Sequence, residues 1–134
     1  MLKVTCAIII QNKKILIVQN SSNSDHPFQW EFPGGKVIFE ETSEDCIKRE
    51  IREELEIEIK IYQKMVSIEF DYGFKQIELI PFLCSIKKGE IKLNEHNKLK
   101  WINVDELDEI DFSGADKKLI QLKNNLVILA QIIH

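Results

Sequence analysis

Arginine is almost absent from this chain. Lysine and arginine together number 18 in 134 residues, yet the only arginines are Arg49 and Arg52. Cysteine is sparse as well: Cys6, Cys46 and Cys84 are far apart and odd in number. That spacing excludes a disulfide framework or a thiolate metal motif, and it predicts buried thiols in a reducing, cytoplasmic setting. No apolar run approaches the roughly 20 residues that a membrane-spanning helix requires. The opening "MLKVTCAIII" is followed at once by polar "QNKK", which reads as strand and turn rather than as a secretory leader. Excess positive charge is missing too, since the formal net charge is −4. This argues against a nucleic-acid polymer or an anionic membrane as partner, but not against a small anion held through a metal. There is no internal repeat, linker or low-complexity stretch. Length predicts one domain over residues 1–134, as a monomer or homodimer, with roughly two-thirds of the unfolded surface buried.

What is present is alternating β and helical patterning. Leu2–Ile10 and Lys14–Val18 read as strands around the "QNKK" turn, with "CAIII" apolar enough for burial on both faces. Asn20–Pro27 is polar and rich in turn formers, which predicts a mobile loop. Thr42 or Ser43 can cap a helix starting near Ser43, with Glu44 and Asp45 in its first turn. Ile47, Ile51 and Leu55 form its core-facing stripe. From Glu58 to Ile86 two β-rich runs flank Gly73, then a polar connection leads to the short strand "LKWINV". "DELDEIDF" suggests an acidic turn or short helix, and Ala115–Ile133 reads as a closing amphipathic helix through Leu119, Leu122, Leu126, Leu129 and Ile133. Strands, helix, strands, helix predict a mixed sheet with helices packed on it, of α+β or α/β class.

The stretch "EFPGGKVIFEETSEDCIKREIREELEI" carries the chemistry. Glu50, Glu53 and Glu54 stand at i, i+3 and i+4, so they leave one helix face within a turn of each other. Like charges so placed repel by roughly a few tenths of a kcal/mol per pair. A solvated face tolerates that; a hard divalent cation shared with substrate phosphates would turn it into a binding site. Both arginines fall among these glutamates, and Arg49, four residues before Glu53, can orient a carboxylate with its rigid fork. Upstream, Gly34 and Gly35 let backbone approach something closely. His26, His96 and His134 match no metal-ligand spacing.

Gly35, five residues, Glu41, seven residues and then "REIREELEI" resemble the Nudix box, Gx5Ex7REUxEExGU with U aliphatic. Gly35, Glu41, Arg49, Glu50, Ile51, Glu53, Glu54 and Ile57 match; Glu56 stands where the motif has glycine. The motif glycine closes its helix in a left-handed conformation, so a differently shaped exit is expected here. The resemblance implies an α/β/α sandwich with a mixed sheet between helices. It further implies hydrolysis of a nucleotide anhydride with Mg²⁺, or Mn²⁺ in its place. Glu50, Glu53 and Glu54, with a Gly34 or Gly35 carbonyl, would hold the ions, Glu41 would support the loop–helix junction, and Arg49 would orient a catalytic glutamate.

"WEFPGGK" and the overall spacing look like the MutT subgroup, nucleoside triphosphate pyrophosphohydrolases. By that resemblance Glu95, shortly before Trp101, joins the metal site, and either Glu53 or Glu95 is the general base. Asp116 falls where the subgroup carries a base-reading residue; ionised, it would accept from guanine or cytosine donors. Taken without the resemblance, Asp116 also suits the positive end of a helix. Phe70, Tyr72 and Phe74 could stack on a base or simply pack the sheet, and Lys75 could reach the ligand. Gln19 and Asn20 replace the phosphate-gripping arginine that such members carry, leaving Lys36, metal ions and backbone N–H groups for the phosphates. Tyr72 stands about where ADP-ribose hydrolases have proline, and slightly early for the tyrosine of diadenosine-polyphosphate hydrolases. Expected substrates are 8-oxo-dGTP, dGTP or (d)CTP, with ADP-ribose, diadenosine polyphosphates or non-catalytic nucleotide binding as alternatives.

Overall fold

The computed structural model describes residues 1–122, 124–125 and 127–129. Its frame is a mixed eight-stranded sheet. Strand β1 (Leu2–Gln11) turns into β2 (Lys14–Gln19) over Asn12 and Lys13, both at positive φ (52° and 65°), as a tight two-residue hairpin requires. Two short strands, β3 (Trp30–Glu31) and β4 (Gly34–Lys36), follow the loop after β2. Then come helix α1 (Ser43–Leu55), strands β5 (Glu58–Lys64), β6 (Ile68–Asp71), β7 (Gln76–Lys88) and β8 (Lys98–Ile102), a 3-10 turn (Val104–Glu109) and helix α2 (Gly114–Gln121). The strand path runs β3-β2-β1-β7-β5, with β4 on β1, β6 on β7 and β8 on β2. β1 and β7 run parallel from Leu2↔Ile77 to Ile9↔Cys84.

Alternation along β1 assigns its side chains to two cores. Cys6 and Ile8 point into a cluster with Leu119 and Leu129, while Ala7 and Ile9 point into one with Ile47, Ile51 and Leu55. Because both faces are covered, "CAIII" reads as one continuous apolar run. α1 lies on one face and α2 on the other, which is the expected helix–sheet–helix sandwich. All three cysteines are free and buried. No helix among the described residues is long and apolar enough to cross a membrane.

Two expectations about helix ends need correction. Glu56 does not reshape the exit of α1. It takes the left-handed conformation itself (φ 57°, ψ 34°), and its N–H donates to Arg52 O. For a residue with a Cβ this costs about 1 kcal/mol. The cost is offset by donors that reach the last carbonyls of the helix. Lys92 N–H donates to Leu55 O at 2.9 Å, Asn94 N–H to Glu54 O at 3.0 Å and Asn94 Nδ2 to Glu53 O at 2.8 Å. Nor is the closing helix continuous from Ala115. It stops at Gln121, and Leu122 is extended (φ −68°, ψ 126°). Asn125, fully buried, explains the break: its Nδ2 donates to Leu119 O and Val66 O, and its Oδ1 accepts from Val66 N–H. Residues 124–125 and 127–129 are again helical, with Leu129 in the core; Leu126 and Ile133, assigned to the same helix from sequence, lie outside the described residues.

Candidate active site

α1 starts cleanly because Thr42 Oγ1 accepts the Asp45 N–H at 3.1 Å, and Glu44 and Asp45 meet its positive end. Its Ile47, Ile51 and Leu55 stripe is fully buried against the sheet, which fixes the rotation of the glutamate face. The glycines pack tightly beside it. A Cβ on Gly34 would lie 2.0 Å from Thr5 O, and one on Gly35 would lie 2.4 Å from the Glu50 carboxyl carbon. Gly34 therefore permits the pairing of β1 with β4, and Gly35 forms the floor under the Glu50 carboxylate. The Gly35 carbonyl accepts from Thr5 Oγ1 at 3.2 Å, so of the two it is Gly34 that lines the cavity described below.

Arg49 binds three carboxylates and a backbone carbonyl at once, and also touches Cys46 Sγ at 3.8 Å. It forks onto Glu41 (Nε–Oε2 2.6 Å, Nη2–Oε1 3.0 Å). Nη1 donates to Glu50 at 2.9 Å and Glu53 at 3.1 Å, while Nη2 also reaches Lys36 O at 3.1 Å. The guanidinium, helped by Ile38 N–H, holds the Glu41 carboxyl down to about 2. Burial pushes the Glu50 carboxyl up, Arg49 pulls it back, and the charges of Glu53 and Glu95 add to the rise. Glu53 reaches solvent, with its side chain 54% exposed.

Glu54, by contrast, is enclosed. It is 2% exposed, and its Oε2 is buried with no hydrogen-bond partner among the described residues. Burial, followed by the charges of Glu31, Glu50 and Glu95, lifts its carboxyl to about 10. Such a group keeps a proton at neutral pH unless a cation replaces it. Beside it His96 Nε2 lies 3.1 Å from Glu31 Oε2 and 3.8 Å from Glu54 Oε1, and one donor atom from each of the three residues falls within 4.8 Å of the others. An orphaned carboxylate oxygen beside a carboxylate and an imidazole is a donor set that fits a divalent metal ion.

The residues 89–97 connection brings Glu95 and His96 here, because its Lys92 and Asn94 cap α1 as described above. A cavity of about 330 Å³ is lined by Glu31, Gly34, Glu54, Glu95 and His96 at one end and by Asn20, Asp25, His26 and Lys75 at the other. A smaller cavity of about 100 Å³ shares His26, Glu31, Gly34 and Lys75 and continues to Phe32, Tyr72, Ser113 and Asp116. Together they form a cleft with carboxylates at one end and a half-apolar slot at the other.

Within the slot, Asp116 is buried and its Oδ2 accepts the Phe32 N–H at 2.7 Å. Burial and the nearby charge of Glu31 raise its carboxyl well above the ordinary range, against the pull of Phe32 and Ser113. In its protonated form such a carboxyl would donate as well as accept. Tyr72 OH accepts from Ala115 N–H at 2.8 Å, and its ring lies 4.5 Å from that of His26. Lys75 pairs with Asp25 at 3.1 Å. Lys36 is exposed and lines neither cavity, contributing its carbonyl to Arg49 instead. Phe70 packs where a Cβ on Gly114 would sit and Phe74 is largely exposed, so only Tyr72 of the three aromatics lines the slot. Gln19 and Asn20 tie down the residues 20–28 loop: Gln19 Nε2 donates to Phe28 O and Asn20 Nδ2 to His26 O.

Sequence reasoning did not single out Glu31, and it set His26 and His96 aside as matching no metal-ligand spacing, whereas the structure brings His96 beside Glu31 and Glu54. Glu31 precedes "FPGG" and His96 follows Glu95, so adjacency to chosen residues was the available signal; ligand spacing was not, because these residues meet only through the fold.

Comparison with known proteins identifies the family. The model of the NUDIX domain matches residues 1–123. The chain is 32% identical to the CTP pyrophosphohydrolase of Escherichia coli (strain K12), covering 90% of each chain. It is 33% identical to an 8-oxo-dGTP diphosphatase of Buchnera aphidicola subsp. Schizaphis graminum, covering 87% of this chain and 88% of that one. Among solved structures, the E. coli ORF135 protein superposes with a TM-score of 0.82 at 30% identity, over 98% of this chain and 92% of that one.

Proposed function

The chain belongs to the NUDIX family of hydrolases, and from that premise we propose that it cleaves a nucleoside triphosphate to the monophosphate and pyrophosphate with the help of Mg²⁺ or Mn²⁺. The observation that carries this reading is the buried, unpartnered Glu54 oxygen, facing a polar cleft beside Glu31 and Glu95 and one helical turn from Glu50. Glu50, Glu53, Glu54, Glu95 and the Gly34 backbone would hold the metal. When bound, the ions neutralise charge on the phosphate chain and acidify an attacking water. The remaining work falls to the chain itself. Arg49 clamps Glu41 and so fixes the carboxylates of Glu50 and Glu53 relative to the cleft. Glu53 or Glu95 takes the proton from water on a carboxylate oxygen. Lys75, once released from Asp25, meets the phosphates. Lys36 would serve the phosphates from outside the cleft only if its long side chain swings inward.

At the other end, Tyr72 and Asp116 wall a slot for the base. The relatives' names, CTP pyrophosphohydrolase and 8-oxo-dGTP diphosphatase, support (d)CTP or 8-oxo-dGTP as substrate. The test is a Mg²⁺-dependent panel of 8-oxo-dGTP, dGTP, dCTP, 5-methyl-dCTP, ADP-ribose and diadenosine polyphosphates. Pyrophosphate release from one or more triphosphates is expected; cleavage of the last two substrates alone would overturn the reading.

A further inference from the structure

Glu31 and His96 have no part in the carboxylate set proposed above, yet they stand directly against Glu54. The His96 side chain is 5% exposed and Glu54's is 3% exposed, so both are held in place by surrounding protein. Two ligands about 2.1 Å from one ion lie roughly 3 to 4 Å apart. In the metal-free chain His96 Nε2 is hydrogen-bonded to Glu31 Oε2 at 3.1 Å and lies 3.8 Å from Glu54 Oε1, separations that two ligands of one ion could keep. Two buried atoms here lack a hydrogen-bond partner among the described residues, Glu54 Oε2 and His96 Nδ1. An all-oxygen site suits Mg²⁺, whereas an imidazole nitrogen favours later first-row metals such as Co²⁺ and Zn²⁺.

We propose that Glu31, Glu54 and His96 form a mixed oxygen–nitrogen cation subsite that takes a late first-row divalent ion in preference to Mg²⁺. It shares Glu54 with the proposed catalytic carboxylates, and so rests in part on that reading. It differs from them in using His96 Nε2 and Glu31 as ligands. Ligation through Nε2 puts the ring proton on Nδ1. Because that atom is buried, its N–H exchanges slowly enough to serve as a reporter.

The experiment uses the full, metal-free chain and Co²⁺ as probe. Proton spectra in water should show a paramagnetically shifted imidazole N–H that disappears in D₂O. Calorimetry should show Co²⁺ binding that survives a large excess of Mg²⁺. In His96→Gln the shifted proton should vanish and the preference for Co²⁺ over Mg²⁺ should fall about tenfold or more. Glu31→Gln should weaken Co²⁺ in the same direction, and histidine-selective ¹⁵N labelling of the unmutated chain identifies the N–H without any substitution. Absence of a shifted imidazole proton in the unmutated chain, or an unchanged metal preference in folded His96→Gln, overturns the subsite. Glu53→Gln separates the two readings, since it should lose hydrolysis while keeping the shifted proton. If no triphosphate is cleaved but the His96 signal is present, the subsite stands and the proposed reaction falls.

Discussion

The two sides of α1's acidic face handle the same charge in opposite ways. On one side Arg49 satisfies Glu41, Glu50 and Glu53 together, and those carboxylates remain open to water to differing degrees. On the other, Glu54 is buried with Glu31 and His96, and one of its oxygens has no hydrogen-bond partner among the described residues. On the partnered side Arg49 holds the carboxylates in a rigid frame, from which Glu50 and Glu53 would still reach a metal. The unpartnered side is costly unless a cation arrives, because a buried carboxylate without a counter-charge is strongly disfavoured. Crowded carboxylates alone do not make a metal site; burial without a partner among the described residues is what argues for one here.

The largest expected effect comes from removing a carboxylate on the open side. Glu53→Gln should lower kcat by on the order of 10²–10⁴-fold, the usual contribution of a positioned base, with an unchanged circular dichroism spectrum. Full activity in that variant would leave Glu53 a part of the Arg49 frame with no catalytic role. Next is the frame itself. Arg49→Lys keeps the charge but loses the fork onto Glu41, and should cost roughly 10–100-fold in activity, as loss of supporting contacts to metal ligands does. Steady-state kinetics should show the loss mainly in kcat.

Asp116 sharpens the comparison with a smaller effect, because it too is a buried carboxyl but accepts a hydrogen bond from Phe32 N–H. Its folded-state pKa is raised by burial and by Glu31. Between the unfolded and folded values the native state binds more protons, so its penalty is absent in acid and grows as pH rises through that window. Asp116→Asn keeps an acceptor for Phe32 and should flatten the decline of Tm with pH by a few degrees, without altering the response to Mg²⁺. A thermal melt series across pH measures both.

Much of this was legible in the sequence. The box glutamates, Arg49 and the α1 stripe are local in the chain, and helical periodicity alone places them on defined faces. Glu95 required a family resemblance. His96 and Glu31 were invisible as ligands because they meet Glu54 only when Asn94 and Lys92 cap the end of α1, a contact across the fold with no periodic signature. The helix exit misled for the opposite reason. A local rule asked for glycine at position 56, and those same long-range caps let Glu56 adopt the left-handed conformation. Asn125 broke the predicted closing helix likewise, by giving Leu119 O and the Val66 backbone a side-chain partner that periodicity does not reveal.

By the reading proposed above, the Glu54 side is a ready-made cation site. The most direct test compares the Mg²⁺-induced rise in Tm of the metal-free wild-type chain with that of Glu54→Gln. At 100 times Kd, bound ligand stabilises by about 2.7 kcal/mol, which for a chain of this size is roughly 10 °C. The wild type should show a rise of that order, and Glu54→Gln, already relieved of its buried acid, should show less than half of it. An equal rise in both chains, or none in either, would contradict the account.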